Sequence, residues 1–140
     1  MAPDLKAHLE HARTIAVVGC SNHPYRTSHG IARYLQRAGY RILPINPHCT
    51  EVLGETAYPD LDSLPDDVRV DLVNIFRNPR YTDDMVAMAV RYAEATGTRP
   101  VIWTQLGVST PAAQQRAEAA GLPYVADRCI KIEHARFVRA

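Results

Sequence analysis

Charge of one sign is what this sequence lacks. Its 16 Lys and Arg face 15 Asp and Glu, leaving a formal net charge of +1. A general nucleic-acid binder shows a basic stripe or tail, so no nucleic-acid partner is expected. No apolar run approaches the roughly 20 residues of a membrane span. The opening MAPDLKAHLEHAR has no apolar core of a signal peptide, so the expected location is cytoplasmic, away from the membrane. Cysteine is scarce: Cys20, Cys49 and Cys129 are an odd number at no framework spacing, which reads as reduced thiols. No internal repeat, low-complexity stretch or linker divides the chain, so residues 1–140 are read as one domain.

What is present is organised around residues 14–33, TIAVVGCSNHPYRTSHGIAR. The apolar run 15–18 reads as a buried parallel strand. It turns at Gly19, crosses a polar loop with Ser21, Asn22, Pro24 and Arg26, and enters a helix for which Thr27 or Ser28 is the expected cap. Such a turn forms an anion site, because the helix dipole and the unpaired amides both point into it. Arg26 adds a cationic fork suited to phosphate oxygens, although an ordinary surface arginine is the plainer alternative.

A short helix is expected at 4–12, with Leu5, Leu9 and Ala12 at helical spacing. The first crossover helix ends at Gly39. Residues 41–45 form the second strand, stopped by Asn46-Pro47, and 48–58 is an irregular connection. One helical turn fits 61–64, a third strand 70–76 (VDLVNIF), and an amphipathic helix 80–96 closed by Gly97. Residues 100–103 form a fourth strand. Ser109 or Thr110 caps a helix with Pro111 at its first position, and 124–126 is a fifth strand. The tail 127–140 has no assigned packing. Strands alternating with helices imply a parallel sheet covered on both faces: an α/β, Rossmann-like three-layer fold, expected strand order 3-2-1-4-5. In such sheets ligands sit beyond the carboxyl ends of the strands at the switch point, placed by that order between strands one and four.

The residues just past those ends form a coherent set: Gly19, Cys20 and Ser21; Asn46 and Pro47; Phe76, Arg77 and Asn78; Thr104, Gln105 and Gly107. The set has donors and cations, and no Asp or Glu, which suits an anionic ligand with a ring or acyl part. An NAD(P)-dependent enzyme is the alternative. Its glycine fingerprint is missing, since the turn reads G-C-S-N-H-P, and Asn46-Pro47 stands where a carboxylate would hold the ribose. No Gly-Lys-Ser/Thr follows the first strand, which excludes a P-loop.

The chain resembles the small bacterial CoA-binding proteins of Rossmann-like fold, similar to the CoA-binding domain of succinyl-CoA synthetase alpha subunits. The resemblance rests on VVGCSNHPYRTS at 17–28, PINPHCTEVLGETAYPDL at 44–61, VDLVNIFR at 70–77, VIWTQLGV at 101–108 and EAAGLPYVADRCIKIEHAR at 118–136. Cys20 stands where that family usually has Ala, and Thr104 where it has a bulkier apolar residue. The resemblance implies coenzyme A, or an acyl-CoA, as ligand. The Gly19, Cys20, Ser21 turn and Arg26, with Thr27 and Ser28 at the helix start, would hold the phosphates. Ile45, Asn46 and Pro47 would line the adenosine or 3′-phosphate side. Phe76, Arg77, Thr104, Gln105 and Gly107 would flank the nucleotide and the start of the pantetheine arm.

Plainer readings stand beside these. Asn46-Pro47 can simply end a strand, Arg77 can pair with Asp83 or Asp84, and Trp103 and Phe76 suit the core. Cys20, His23, His48 and Cys49 follow adjacent strands, but their spacings match no ordinary zinc pattern. Cys129 stands between Arg128 and Lys131, flanks that suit a reactive thiol, while a buried inert thiol is the default. There is no Gly-x-Ser-x-Gly elbow and no carboxylate pair at the strand ends. His29 reads as a first-turn helix residue. The expectation is therefore a binding protein without chemistry of its own, with no assigned protein partner.

Overall fold

The computed structural model describes residues 4–138. Its main sheet holds five parallel strands: β1 (Thr14–Val18), β2 (Arg41–Ile45), β5 (Leu72–Ile75), β6 (Val101–Thr104) and β7 (Tyr124–Val125). A separate two-stranded hairpin is made by β3 (Glu51–Val52) and β4 (Glu55–Thr56). Among the described residues there are five α-helices, α1 (Leu5–His11), α2 (Thr27–Arg37), α3 (Thr82–Thr96), α4 (Pro111–Ala119) and α5 (Ile130–Phe137), and two single 3-10 turns at Leu61–Ser63 and Pro79–Tyr81.

Alternation along each strand divides the core into two layers. In β1, Ala16 and Val18 pack with α3, α4 and Leu61, Leu64 and Val68. Ile15 and Val17 face the other way, toward Leu9 of α1, Ile31 and Leu35 of α2, and Ile130 of α5. A sheet buried on both faces needs strands apolar at nearly every position, and β1, β5 and β6 have that character, with every β5 and β6 residue buried. The tail without an assigned packing is thus α5, which lies on the α1–α2 side and closes that layer.

The expected three-layer architecture is present, but the strand order is not 3-2-1-4-5. The sheet runs β2-β1-β5-β6-β7, so the third main strand pairs with β1 and the switch point lies between the first and third. Two physical causes explain this. First, the chain leaving β2 carries Leu61, Leu64 and Val68 onto the face opposite α2. Right-handed crossovers on opposite faces move the chain in opposite directions across a sheet, so β5 is laid down beyond β1. Second, β2 contains Pro44, which has no N–H to donate and belongs on an edge strand. The order 3-2-1 would have placed that proline inside the sheet.

Local signals account for most element ends. Asp4 caps α1 by accepting from the Ala7 N–H (3.0 Å). Thr110 accepts from the Ala113 N–H (3.1 Å), with Pro111 at the first position of α4. Gly97 closes α3 in the left-handed conformation. The connection after β2 is less irregular than expected: it folds into the β3–β4 hairpin, turning at Leu53 and Gly54, both at positive φ. Tyr58 then runs parallel to Ile45, its N–H donating to the Pro44 carbonyl and its carbonyl accepting from the Asn46 N–H.

Candidate functional site

The turn after β1 is fastened to both neighbouring strand ends. Gly19 sits at φ +84°, and its N–H donates to the Ile45 carbonyl at 2.8 Å. A Cβ there would stand 2.9 Å from the Phe76 carbonyl oxygen, so the turn lies against the end of β5 and only glycine fits. The Cys20 carbonyl accepts from Asn46 Nδ2 (2.9 Å), while Asn46 Oδ1 accepts from the His48 N–H (2.8 Å). Asn46 is therefore a clamp between the ends of β1 and β2, with both ends of its amide engaged.

The start of α2 differs from the expected capped form. Arg26 occupies the capping position in extended conformation, and no side chain caps the helix. Ser28 instead reaches back from the first turn to accept from the Ser21 N–H (3.0 Å), while Ser21 Oγ accepts from the His23 N–H (3.0 Å). The first N–H groups of a helix have no partner within it. Left without a side-chain cap, they give this end the donor and dipole character that suits an anion. Arg26 is exposed and lies 5.8 Å from the ring centroid of Tyr25.

Two clefts open at the carboxyl ends of the strands. One, of about 140 Å³, lies toward α3, between Val18, Gly19, Ile45, Pro47, Pro59, Asp60, Met85 and Met88. The other, of about 380 Å³, lies on the α2–α5 side and is lined by Thr27, Ile31, Phe76, Gln105, Leu106, Val108, Cys129 and Ile132, among others. Arg77 lines both. Its guanidinium stacks 4.7 Å from the Tyr81 ring centroid, and its buried Nε has no hydrogen-bond partner. The alternative pairing with Asp83 does not form: that carboxylate takes Arg116, at 2.7 and 3.1 Å. The hydrogen bond from Arg116 holds the Asp83 carboxyl below its usual range. Arg77 is left without a carboxylate partner among the described residues.

The sequence-expected residues fall into two groups. Gly19, Thr27, Ile45, Pro47, Phe76, Arg77 and Gln105 line the clefts. The others act as framework or stand outside. Cys20 is completely buried, and burial pushes its thiol up to about 12, with Cys49 adding to the shift. Thr104 is also completely buried and donates its hydroxyl proton to the Val125 carbonyl (2.8 Å), so its side chain cannot reach a ligand. Gly107 donates its N–H to Asp127 (3.1 Å) and lines neither cleft. Trp103 is core, with Nε1–H donating to the Arg128 carbonyl (2.8 Å).

The expectation of no Asp or Glu is corrected by Asp60, whose Oδ1 accepts from the N–H and hydroxyl of Ser63 (2.9 and 2.7 Å). Strand-end reading missed Asp60 because it follows the hairpin rather than a strand of the main sheet. It also missed Met85 and Met88, whose three-residue spacing puts both on one face of α3. Cys129 and Ile132 were missed as lining because the tail had no place.

The chain is similar to several known proteins. A sequence profile described as a CoA binding domain matches residues 13–135. An uncharacterized protein of Bacillus subtilis, YneT, is 36% identical over 132 residues, covering 94% of this chain and 93% of its own length. A solved structure from Thermus thermophilus superposes with a TM-score of 0.85 at 37% identity, covering 96% of each chain. A hypothetical protein of Pyrococcus horikoshii gives a TM-score of 0.88 at 33% identity, covering 96% of this chain and 90% of its own. The chain belongs to the CoA-binding domain family.

Proposed function

We propose that this protein binds coenzyme A or an acyl-CoA across the switch point between β1 and β5, without catalysis of its own. The observation that carries the reading is Arg77: a cation with no carboxylate partner among the described residues, bordering both clefts beside the uncapped start of α2. Coenzyme A matches that layout through its pyrophosphate, an anionic link between the adenosine 3′-phosphate at one end and the uncharged pantetheine arm at the other. In this reading the uncapped amides at the start of α2, with Arg77 and Arg26, hold the phosphates, and the 19–21 turn, whose Gly19 and Ser21 N–H groups are engaged by Ile45 and Ser28, shapes their seat. The α3-side cleft, with Ile45, Pro47 and the two methionines, takes the adenosine. The α2–α5 cleft takes the pantetheine arm past Phe76 and Gln105. Asn46, Ser28 and Cys20 hold the turn in shape rather than touch the ligand.

The absence of catalysis is inferred from the lining. Asp60 is the one carboxylate among the described residues lining the two clefts, and its Oδ1 is occupied by Ser63. Among the described residues lining the clefts, no histidine, lysine or second carboxylate accompanies it for proton transfer.

Calorimetric titration with CoA tests the reading. Arg77→Ala and Arg26→Ala are each expected to weaken binding by about 1.5–3 kcal/mol, the range for a charged hydrogen bond. CoA should raise the melting temperature more than NAD, NADP or ATP at equal concentration. Affinity unchanged in both variants, or a larger shift with NAD, would overturn it.

A further inference from the structure

Resting on the CoA reading, we propose that the preferred ligand is a thioester carrying an uncharged, apolar acyl chain, seated between Leu106 and Ile132 at the mouth of the α2–α5 cleft. Among the described residues, four large apolar or aromatic side chains stand exposed: Tyr25, Leu106, Ile132 and Phe137. Two of the four, Leu106 at 62% and Ile132 at 57% exposure, border this same cleft, although they come from elements 26 residues apart in sequence. Single exposed apolar residues need no explanation, but convergence on one cleft marks an interaction site. Behind them the lining continues with Ile31, Phe76 and Val108.

The polar groups of the cleft also fit a thioester. Among the described residues its only charged lining side chain is Arg77, on the border shared with the turn after β1. The charged side chains nearby, Asp127 against the Gly107 N–H and Lys131 over the Tyr34 ring, do not line the cleft, so an anionic or cationic acyl terminus meets no counter-charge in the lining beside Leu106 and Ile132. Gln105 is 5% exposed, and its Oε1 accepts from the Ile130 N–H (2.9 Å). That bond fixes the amide plane, while Nε2 makes no hydrogen bond among the described residues. A fixed, nearly buried donor at the cleft suits a carbonyl oxygen of the pantetheine arm or of the thioester. Free CoA would leave the apolar mouth wet, whereas a saturated chain of several carbons would cover it.

Titration with CoA, acetyl-, hexanoyl-, octanoyl- and succinyl-CoA tests the proposal. Octanoyl-CoA should bind on the order of tenfold more tightly than acetyl-CoA, with hexanoyl-CoA between them and succinyl-CoA no tighter than acetyl-CoA. In the Leu106→Ser, Ile132→Ser double variant, the octanoyl-to-acetyl ratio should fall toward one. Binding of CoA and every thioester with equal affinity would overturn the acyl proposal alone. Failure of CoA and all its thioesters to bind would overturn it together with the reading beneath it. A wild-type dimer in sedimentation that the double variant abolishes would also overturn it, by giving the apolar mouth to a second copy of the chain.

Discussion

The most constrained residue of the candidate site is Gly19. Its positive φ excludes most side chains without strain, and the nearest obstacle is backbone, the Phe76 carbonyl, which cannot rotate aside. Gly19→Ala should therefore destabilise the fold by about 2 kcal/mol or more, read as a lower urea midpoint with an unchanged slope. The glycine, its turn and Arg77 were legible in the sequence because each sits at a fixed distance past an apolar strand. The partners of Asn46, Ser28 and Thr104 were not. A polar side chain at a strand end has the same appearance whether it faces a ligand or ties two loops together. Only the positions of Cys20, Ser21 and Val125 decide between those uses.

At the scale of elements, legibility follows local chemistry. β2 spans the expected 41–45, and α4 begins at the expected Pro111, with Thr110 rather than Ser109 as its cap. The Thr110 hydroxyl satisfies a helix amide that would otherwise lack a partner in the chain. Thr110→Ala should cost about 1 kcal/mol, measurable by denaturant unfolding, while Thr110→Ser should restore most of it. The β3–β4 hairpin was read as irregular because strands of two residues are too short to show alternation. The cap of α2 was misread for a different reason: Thr27 and Ser28 are both good capping types, yet Ser28 finds a better partner in the loop that the helix must hold.

At the scale of the whole molecule, one buried thiol links stability to alkaline pH. Cys20 lies in the layer between the sheet and α2, completely buried, and its thiol is pushed from the usual 9.0 to about 12 by burial. The unfolded chain gives up this proton first, so between those values the folded state binds more protons and stability falls as pH rises. The contribution is complete below pH 9 and lost as pH passes through about 12. Urea midpoints measured from pH 8.5 upward should decline more steeply for the wild type than for Cys20→Ala; equal slopes would remove Cys20 as the cause. Among the described residues, no helix is long and apolar enough to cross a membrane.

Taken by itself, the sequence determined the alternation of strand and helix, the two-sided burial of the sheet, and the turn at Gly19. These depend on periodicity, capping and the steric needs of single residues, all of which act over a few positions. The tertiary structure decided the strand order, the seat of α5 and the composition of the two clefts. A crossover's direction depends on which face receives Leu61, Leu64 and Val68, and local pattern carries no record of that choice. Pro44 carried a hint, since a residue without an N–H belongs at a sheet edge. Asp60, Met85 and Ile132 reached the clefts only because β5 pairs with β1 and the tail folds back as α5.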